Sequence, residues 1–68
     1  MPSTAIRHID YESAKRALTV TFVTGRRYVY ADVEQEVFVK FSTAPSKGIF
    51  FNSEIGDAYA YRELERLA

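Results

Sequence analysis

The side chains that most often carry out catalysis are sparse in this chain of 68 residues. His8 is the single histidine and there is no cysteine, which excludes thiol chemistry and argues against zinc, a metal that normally takes several His or Cys ligands. No serine lies in a Gly-x-Ser-x-Gly elbow, and no glycine-rich nucleotide-binding motif is present. The carboxylates that could form a general acid–base pair fall at predicted turns and helix starts: Asp10, Glu12, Asp32, Glu34 and Glu36. We therefore predict a protein that is not an enzyme and uses no cofactor, metal or small-molecule substrate.

Binding chemistry is better represented, first in residues 26–30, where two arginines precede Tyr28 and Tyr30. Interleaved arginine and tyrosine side chains suit single-stranded nucleic acid, because bases stack on the rings while guanidinium groups hold phosphates. The alternative is that both tyrosines fill the core of a small domain. We expect this second arrangement, which leaves Arg26, Arg27 and the edges of the two rings to contact a ligand.

A second candidate site is the segment Ser46-Lys47-Gly48, which reads as the start of a helix. The first turn of a helix has unpaired N–H groups, a glycine lets an anion come close, and Lys47 adds a full positive charge. This combination predicts a phosphate contact. The alternative is that Ser46 only caps the helix and Gly48 only permits tight packing.

Three segments with strand-like patterns must position these residues. Residues 4–11, 17–24 and 26–33 carry apolar side chains in partial or full alternation with polar ones. Gly25 separates the second and third segments, which predicts an antiparallel hairpin.

The length of the hairpin loop decides where the tyrosines point. A two-residue loop would pair even positions with odd ones and expose Tyr28 and Tyr30. A three-residue loop ending in a left-handed Gly25 would place both rings on the face of Leu18 and Val20. We favour the longer loop, because a small domain gains more from burying two tyrosine rings than from burying Val29 and Ala31.

Helical spacing begins after the third strand. One helical stripe is formed by the apolar residues Val33, Val37, Phe38, Phe41 and Ala44. This stripe predicts a helix capped at Asp32 or the next residue and ended by Pro45. Ser46 is the expected cap of a second helix that stops at Gly56. For residues 57–68 we expect an extended segment followed by a frayed helix.

Length and composition place the chain among small globular domains. Its nine basic and nine acidic side chains give zero formal net charge, and 47% of its residues are hydrophobic. When tyrosine is not counted as apolar, the longest apolar run is three residues, far below the roughly 18 that cross a membrane. We expect one domain over residues 1–68, located in the cytoplasm, and a small core that homodimerisation would help to stabilise.

The order of these features resembles the KTSC domain, over roughly residues 3–61. The resemblance rests on Ile9-Asp10-Tyr11, Tyr28-Val29-Tyr30, Ala44-Pro45-Ser46-Lys47-Gly48 and Phe51-Asn52. That family is named for a segment at the C-terminus of some lysyl-tRNA synthetases, and it also occurs as a stand-alone small protein in bacteria. The resemblance implies RNA as a ligand. This chain departs from the family pattern by having Glu54, Gly56 and Ala58 where relatives are often basic, which weakens that implication.

We therefore expect an α+β fold, with a three-stranded antiparallel β-meander followed by two short helices packed on one face. The expected function is a non-catalytic binding module for RNA, with weak and salt-dependent affinity because of the zero net charge. The alternative is a protein–protein interaction or homodimerisation module. The predicted nucleic-acid-binding residues are Arg26, Arg27, Tyr28, Tyr30, Ser46, Lys47 and Gly48.

Overall fold

A four-stranded antiparallel sheet in the order β1-β2-β3-β4 carries two helices on one of its faces. The computed structural model describes residues 5–64. The elements are β1 (Ile6–Glu12), β2 (Ala17–Phe22), β3 (Arg27–Tyr30), α1 (Gln35–Thr43), α2 (Lys47–Phe50), a π-helical segment that continues α2 (Phe51–Ile55) and β4 (Tyr61–Leu64). The α+β class is thus as predicted, while the predicted count of three strands is wrong by one.

The additional strand, β4, lies in the segment for which we expected an extended stretch and then a frayed helix. It pairs with β3, Tyr30 opposite Tyr61 and Tyr28 opposite Glu63. Residues 62–64 have good helix propensity, but the free hydrogen-bonding edge of β3 recruits them into the sheet, so pairing overrides propensity. The predicted frayed helix over 62–68 is therefore wrong for residues 62–64. Its remainder, residues 65–68, and the predicted start of the first strand at residue 4 lie outside the described residues.

The β2–β3 hairpin has the three-residue loop that the sequence favoured. Gly25 has a φ of 94°, in the left-handed region, and its N–H donates to the carbonyl of Phe22 at 2.9 Å. The Phe22 N–H in turn donates to the carbonyl of Arg26 at 2.9 Å. This loop pairs Leu18 with Tyr30. Even positions of the two strands therefore share one face, as predicted.

Helix α1 begins later than expected. Its N-cap is Glu34, which has extended backbone and no side-chain cap hydrogen bond. The predicted cap at Asp32 or Val33 is wrong because Asp32 adopts a left-handed conformation, with a φ of 59°, and turns the chain out of β3 before the helix starts. The predicted end is confirmed, since Ala44 before the proline is extended.

Helix α2 begins with the expected cap, because the Ile49 N–H donates to the Ser46 hydroxyl at 3.3 Å. The helix then widens into the π-helical segment, where the Gly56 N–H donates to the carbonyl of Phe51 at 2.8 Å. The helical segment ends at Ile55 with Gly56 as its C-cap, as predicted, and Gly56 has a φ of −45° rather than a left-handed conformation.

The core lies between the sheet and the helices. Five side chains have no exposed surface: Leu18, Val20, Val33, Phe41 and Ile55. Phe41 stacks on Phe50, with ring centroids 5.4 Å apart. Within residues 5–64, no helix is long and apolar enough to cross a membrane.

Candidate binding groove

A groove lined mainly by aromatic rings opens between the second half of the helical layer and the β3–β4 side of the sheet. It has a volume of about 300 Å³, which is at the small end for ligand pockets. We call it the aromatic groove, and its lining residues are Phe22, Tyr28, Tyr30, Phe51, Asn52, Gly56, Asp57 and Tyr61. Its size suits one flat ring rather than an extended ligand.

Strand register explains why the tyrosines converge. Tyr28 and Tyr30 are two residues apart on β3 and so point to the same face, and Tyr61 is the direct partner of Tyr30 on β4. The ring of Tyr61 stands perpendicular to that of Tyr28, with centroids 5.6 Å apart, and lies 5.3 Å from that of Tyr30. The helical layer supplies Phe51, which is 5.6 Å from Tyr30 in an edge-to-face contact. Rings from β2, β3, β4 and the helical layer thus line the groove.

The rings of the groove differ in their access to solvent. Tyr30 is 3% exposed and forms part of the core, whereas Tyr61 is 59% exposed. Tyr28 is half-buried between them. A flat ligand can therefore stack on Tyr61 and meet the edge of Tyr28 without displacing core side chains.

The inside of the groove favours hydrogen-bond donors over anions. Burial, followed by the nearby Tyr61, Tyr28 and Asp57, raises the pKa of Tyr30 from 10 to about 12. Tyr30 therefore keeps its proton at neutral pH, and the Asp57 carboxylate lies near enough to oppose a second negative charge. A phosphate would be repelled here, while the amino group of a base could donate to Asp57.

Positive charge lies at the mouth of the groove. Arg26 is exposed at the start of the strand segment that carries Tyr28. A side-chain hydrogen bond with Tyr28, together with the nearby carboxylate of Glu63, raises the pKa of Arg26. The guanidinium is thus held beside a ring of the groove.

The structure separates the two predicted arginines. Arg27 follows Arg26 along an extended chain, so its side chain points to the opposite face of the sheet, where its strand partners are Thr21 and Leu64. Of the predicted hairpin residues, Arg26, Tyr28 and Tyr30 are therefore brought together and Arg27 is not.

The second predicted segment, Ser46-Lys47-Gly48, does not line the groove. Ser46 uses its hydroxyl as the helix cap, while Lys47 and Gly48 are half-buried. From the same helical layer, Phe51 contacts both Phe22 and Tyr30, with ring centroids 5.4 and 5.6 Å apart.

Six groove residues were absent from the predicted site: Phe22, Phe51, Asn52, Gly56, Asp57 and Tyr61. Asp57 carried no local signal. Tyr61 had a signal, since residues 58–61 alternate like a strand, and pairing that strand with β3 would have placed Tyr61 beside Tyr30. Among residues 5–64, no group of three or more His, Cys, Asp or Glu side chains could hold a metal ion.

The fold and groove define a small α+β domain whose sheet and helices hold a solvent-open cluster of rings. The KTSC domain model matches residues 2–59, so the chain belongs to the KTSC domain family. A KTSC domain protein from Yersinia pestis has a similar crystal structure, with a TM-score of 0.88 and 29% identity over 96% of this chain and 92% of that one. A lysine–tRNA ligase from Trichormus variabilis is 36% identical over 59 residues, which are 87% of this chain and 10% of the ligase. The chain thus spans about a tenth of that relative.

Proposed function

We propose that this KTSC domain is a non-catalytic module that binds single-stranded RNA weakly, with one unpaired base in the aromatic groove. The observation that carries the proposal is the solvent-open ring of Tyr61 in a groove of rings, beside the guanidinium of Arg26. Stacking of a base on an aromatic side chain contributes about 1–3 kcal/mol and tolerates any base. The proposed ligand implies a cytoplasmic location.

Base and phosphate occupy different places in the proposed complex. The base enters the groove, because the rings offer it a stacking surface and the Asp57 carboxylate opposes an anion. The phosphates stay outside, where Arg26 contacts one of them and the helix start with Lys47 contacts another. Tyr30 acts as a wall of the groove rather than as a stacking platform. Arg27 belongs to the other face and is not part of the interface.

Two further observations support an RNA ligand and limit its affinity. The relative with 36% identity is a tRNA ligase by name, and the matched segment is a small part of it. The chain has zero formal net charge, so few phosphates can be neutralised. Weak binding is therefore expected, with the shallow dependence on salt that one or two phosphate contacts produce.

The test is a titration with short single-stranded RNAs and with tRNA at about 50 mM salt, where electrostatic binding is strong. Tyr61→Ala should weaken binding by about fivefold or more, which is the loss of one stacked base. Val39→Ala is the matched control, because Val39 is 50% exposed and lies on α1, outside both the groove and the start of α2. Both variants truncate an exposed side chain to alanine.

A second pair of variants tests the phosphate contact. Arg26→Gln should weaken binding of all sequences alike and reduce the slope of log affinity against log salt by about one. Arg62→Gln makes the same change of charge on the opposite face and should leave the slope unchanged. Absence of binding at low salt, or equal losses in Tyr61→Ala and Val39→Ala, would refute the proposal.

A further inference from the structure

The face of the sheet that points away from the helices has no covering element among the described residues, and its charges are sorted by strand. Register places Asp10, Thr19, Val29 and Arg62 in one row across the four strands. All four side chains point away from the core residues of their strands, since strand neighbours alternate between faces. We call this surface the uncovered face.

The two sides of the uncovered face carry opposite charges. On β1, Asp10 and Glu12 are exposed carboxylates. On β3 and β4, Arg27 and Arg62 are guanidinium groups, and Arg62 is exposed. The middle carries the small side chains, with a shallow depression of about 330 Å³ that Val29 lines. The Lys15 side chain from the β1–β2 turn borders this depression and a neighbouring one that Asp10, Glu12 and Arg62 also line.

This separation of charge makes the face complementary to itself. Two copies can stack these faces about a two-fold axis that runs either along the strands or across them. An axis along the strands places β1 over β4 of the second copy, so that Asp10 meets Arg62 at the same row, twice. An axis across the strands places Asp10 over Asp10 and Arg62 over Arg62. The charges therefore select the first arrangement and oppose the second.

We propose that the uncovered face binds a second copy of this chain, about a two-fold axis parallel to the strands. At the centre, Thr19 of each copy lies over Val29 of the other copy. Two Asp10–Arg62 pairs lie at the sides. Strand spacing and rise give the face about 350 Å² per copy, or about 700 Å² in total. This area is below the ~1,200 Å² of stable interfaces, so the dimer is weak and its population depends on concentration and salt.

The test is sedimentation equilibrium at low salt, up to millimolar protein, with charge-reversal variants. Asp10→Arg places arginine against arginine, and Arg62→Asp places aspartate against aspartate, so each variant alone should dimerise at least tenfold more weakly than the parent chain. An equimolar mixture of the two variants restores both pairs and should recover the parent affinity. Glu36→Arg, on the exposed surface of α1, makes the same change of charge as Asp10→Arg and should have no effect.

The mixing experiment also distinguishes the two symmetry axes. If Asp10→Arg associates with the parent chain more tightly than the parent chain associates with itself, the axis runs across the strands and the proposed geometry is wrong. The proposal is overturned if the parent chain stays monomeric at millimolar concentration. It is also overturned if a dimer forms whose affinity none of these charge changes affects, as expected for an edge-to-edge dimer of strands. Because this face is opposite the aromatic groove, failure here leaves RNA binding unaffected.

Discussion

Tyr30 should link the stability of the fold to alkaline pH. Its side chain is 3% exposed and packs against the rings of Phe51 and Tyr61. This burial is the main cause that raises the pKa of Tyr30 from 10 to about 12. In the unfolded chain the phenol returns to its ordinary pKa of about 10. The folded protein therefore holds this proton more tightly than the unfolded chain does.

The sign and size of the effect follow from this difference. A group with a raised pKa contributes its full stabilisation below the unfolded pKa and loses it as pH rises through the folded pKa. The contribution of Tyr30 is therefore complete below about pH 10 and lost by about pH 12. A pKa difference of about two between the folded and unfolded chain corresponds to roughly 2–3 kcal/mol. This is a large part of the ~3–10 kcal/mol free energy of unfolding expected for a chain of this size.

The assay is urea unfolding of the parent chain and of Tyr30→Phe at a series of pH values between neutrality and pH 12. Other groups of the chain also titrate in this range, so the informative quantity is the difference in free energy of unfolding between the parent chain and Tyr30→Phe. That difference should be small at neutral pH and should shift by roughly 2–3 kcal/mol in favour of Tyr30→Phe at the highest pH. Val39→Ala, which removes an exposed side chain but no titratable group, should give a pH profile parallel to that of the parent chain. Parallel profiles for the parent chain and Tyr30→Phe would refute the reasoning.

Three further substitutions test the packing. Phe41→Ala should destabilise the fold by about 3–5 kcal/mol in urea unfolding, because this ring is fully buried; a loss below about 1 kcal/mol would contradict the described core. Tyr11→Phe should cost about 0.5–1.5 kcal/mol, since it removes the 2.6 Å hydrogen bond to the Val33 carbonyl and keeps the stacked ring. Gly25→Ala should cost about 1 kcal/mol or more in thermal unfolding, because its φ of 94° strains any side chain, and a neutral result would indicate a different hairpin loop.

The sequence predicted the parts of the fold that depend on local pattern and on one turn. Gly25, with the alternation on either side of it, was enough to choose the hairpin loop, and the loop placed Tyr28 and Tyr30 on the core face. The serine cap at Ser46 and the helix end before Pro45 follow equally local rules.

The fourth strand escaped prediction because its cause is not local. Residues 62–64 have helix propensity, and only the free edge of β3 makes them a strand. The aromatic groove depends on that strand, since Tyr61 forms one of its walls. A groove assembled from the β2–β3 hairpin, the helical layer and β4 cannot be read from the pattern of any one segment.

The pair Arg26-Arg27 shows how far local composition misleads and what corrects it. Two adjacent arginines suggest one basic patch, and as a patch they would hold two phosphates. In a strand, neighbours point to opposite faces, so once the hairpin register is known the pair must divide. Arg26 then stays beside Tyr28 at the groove and Arg27 joins the uncovered face. The two adjacent arginines thus supply charge to two separate surfaces, Arg26 to the groove and Arg27 to the uncovered face. The register of the strand, rather than the composition, determines this division.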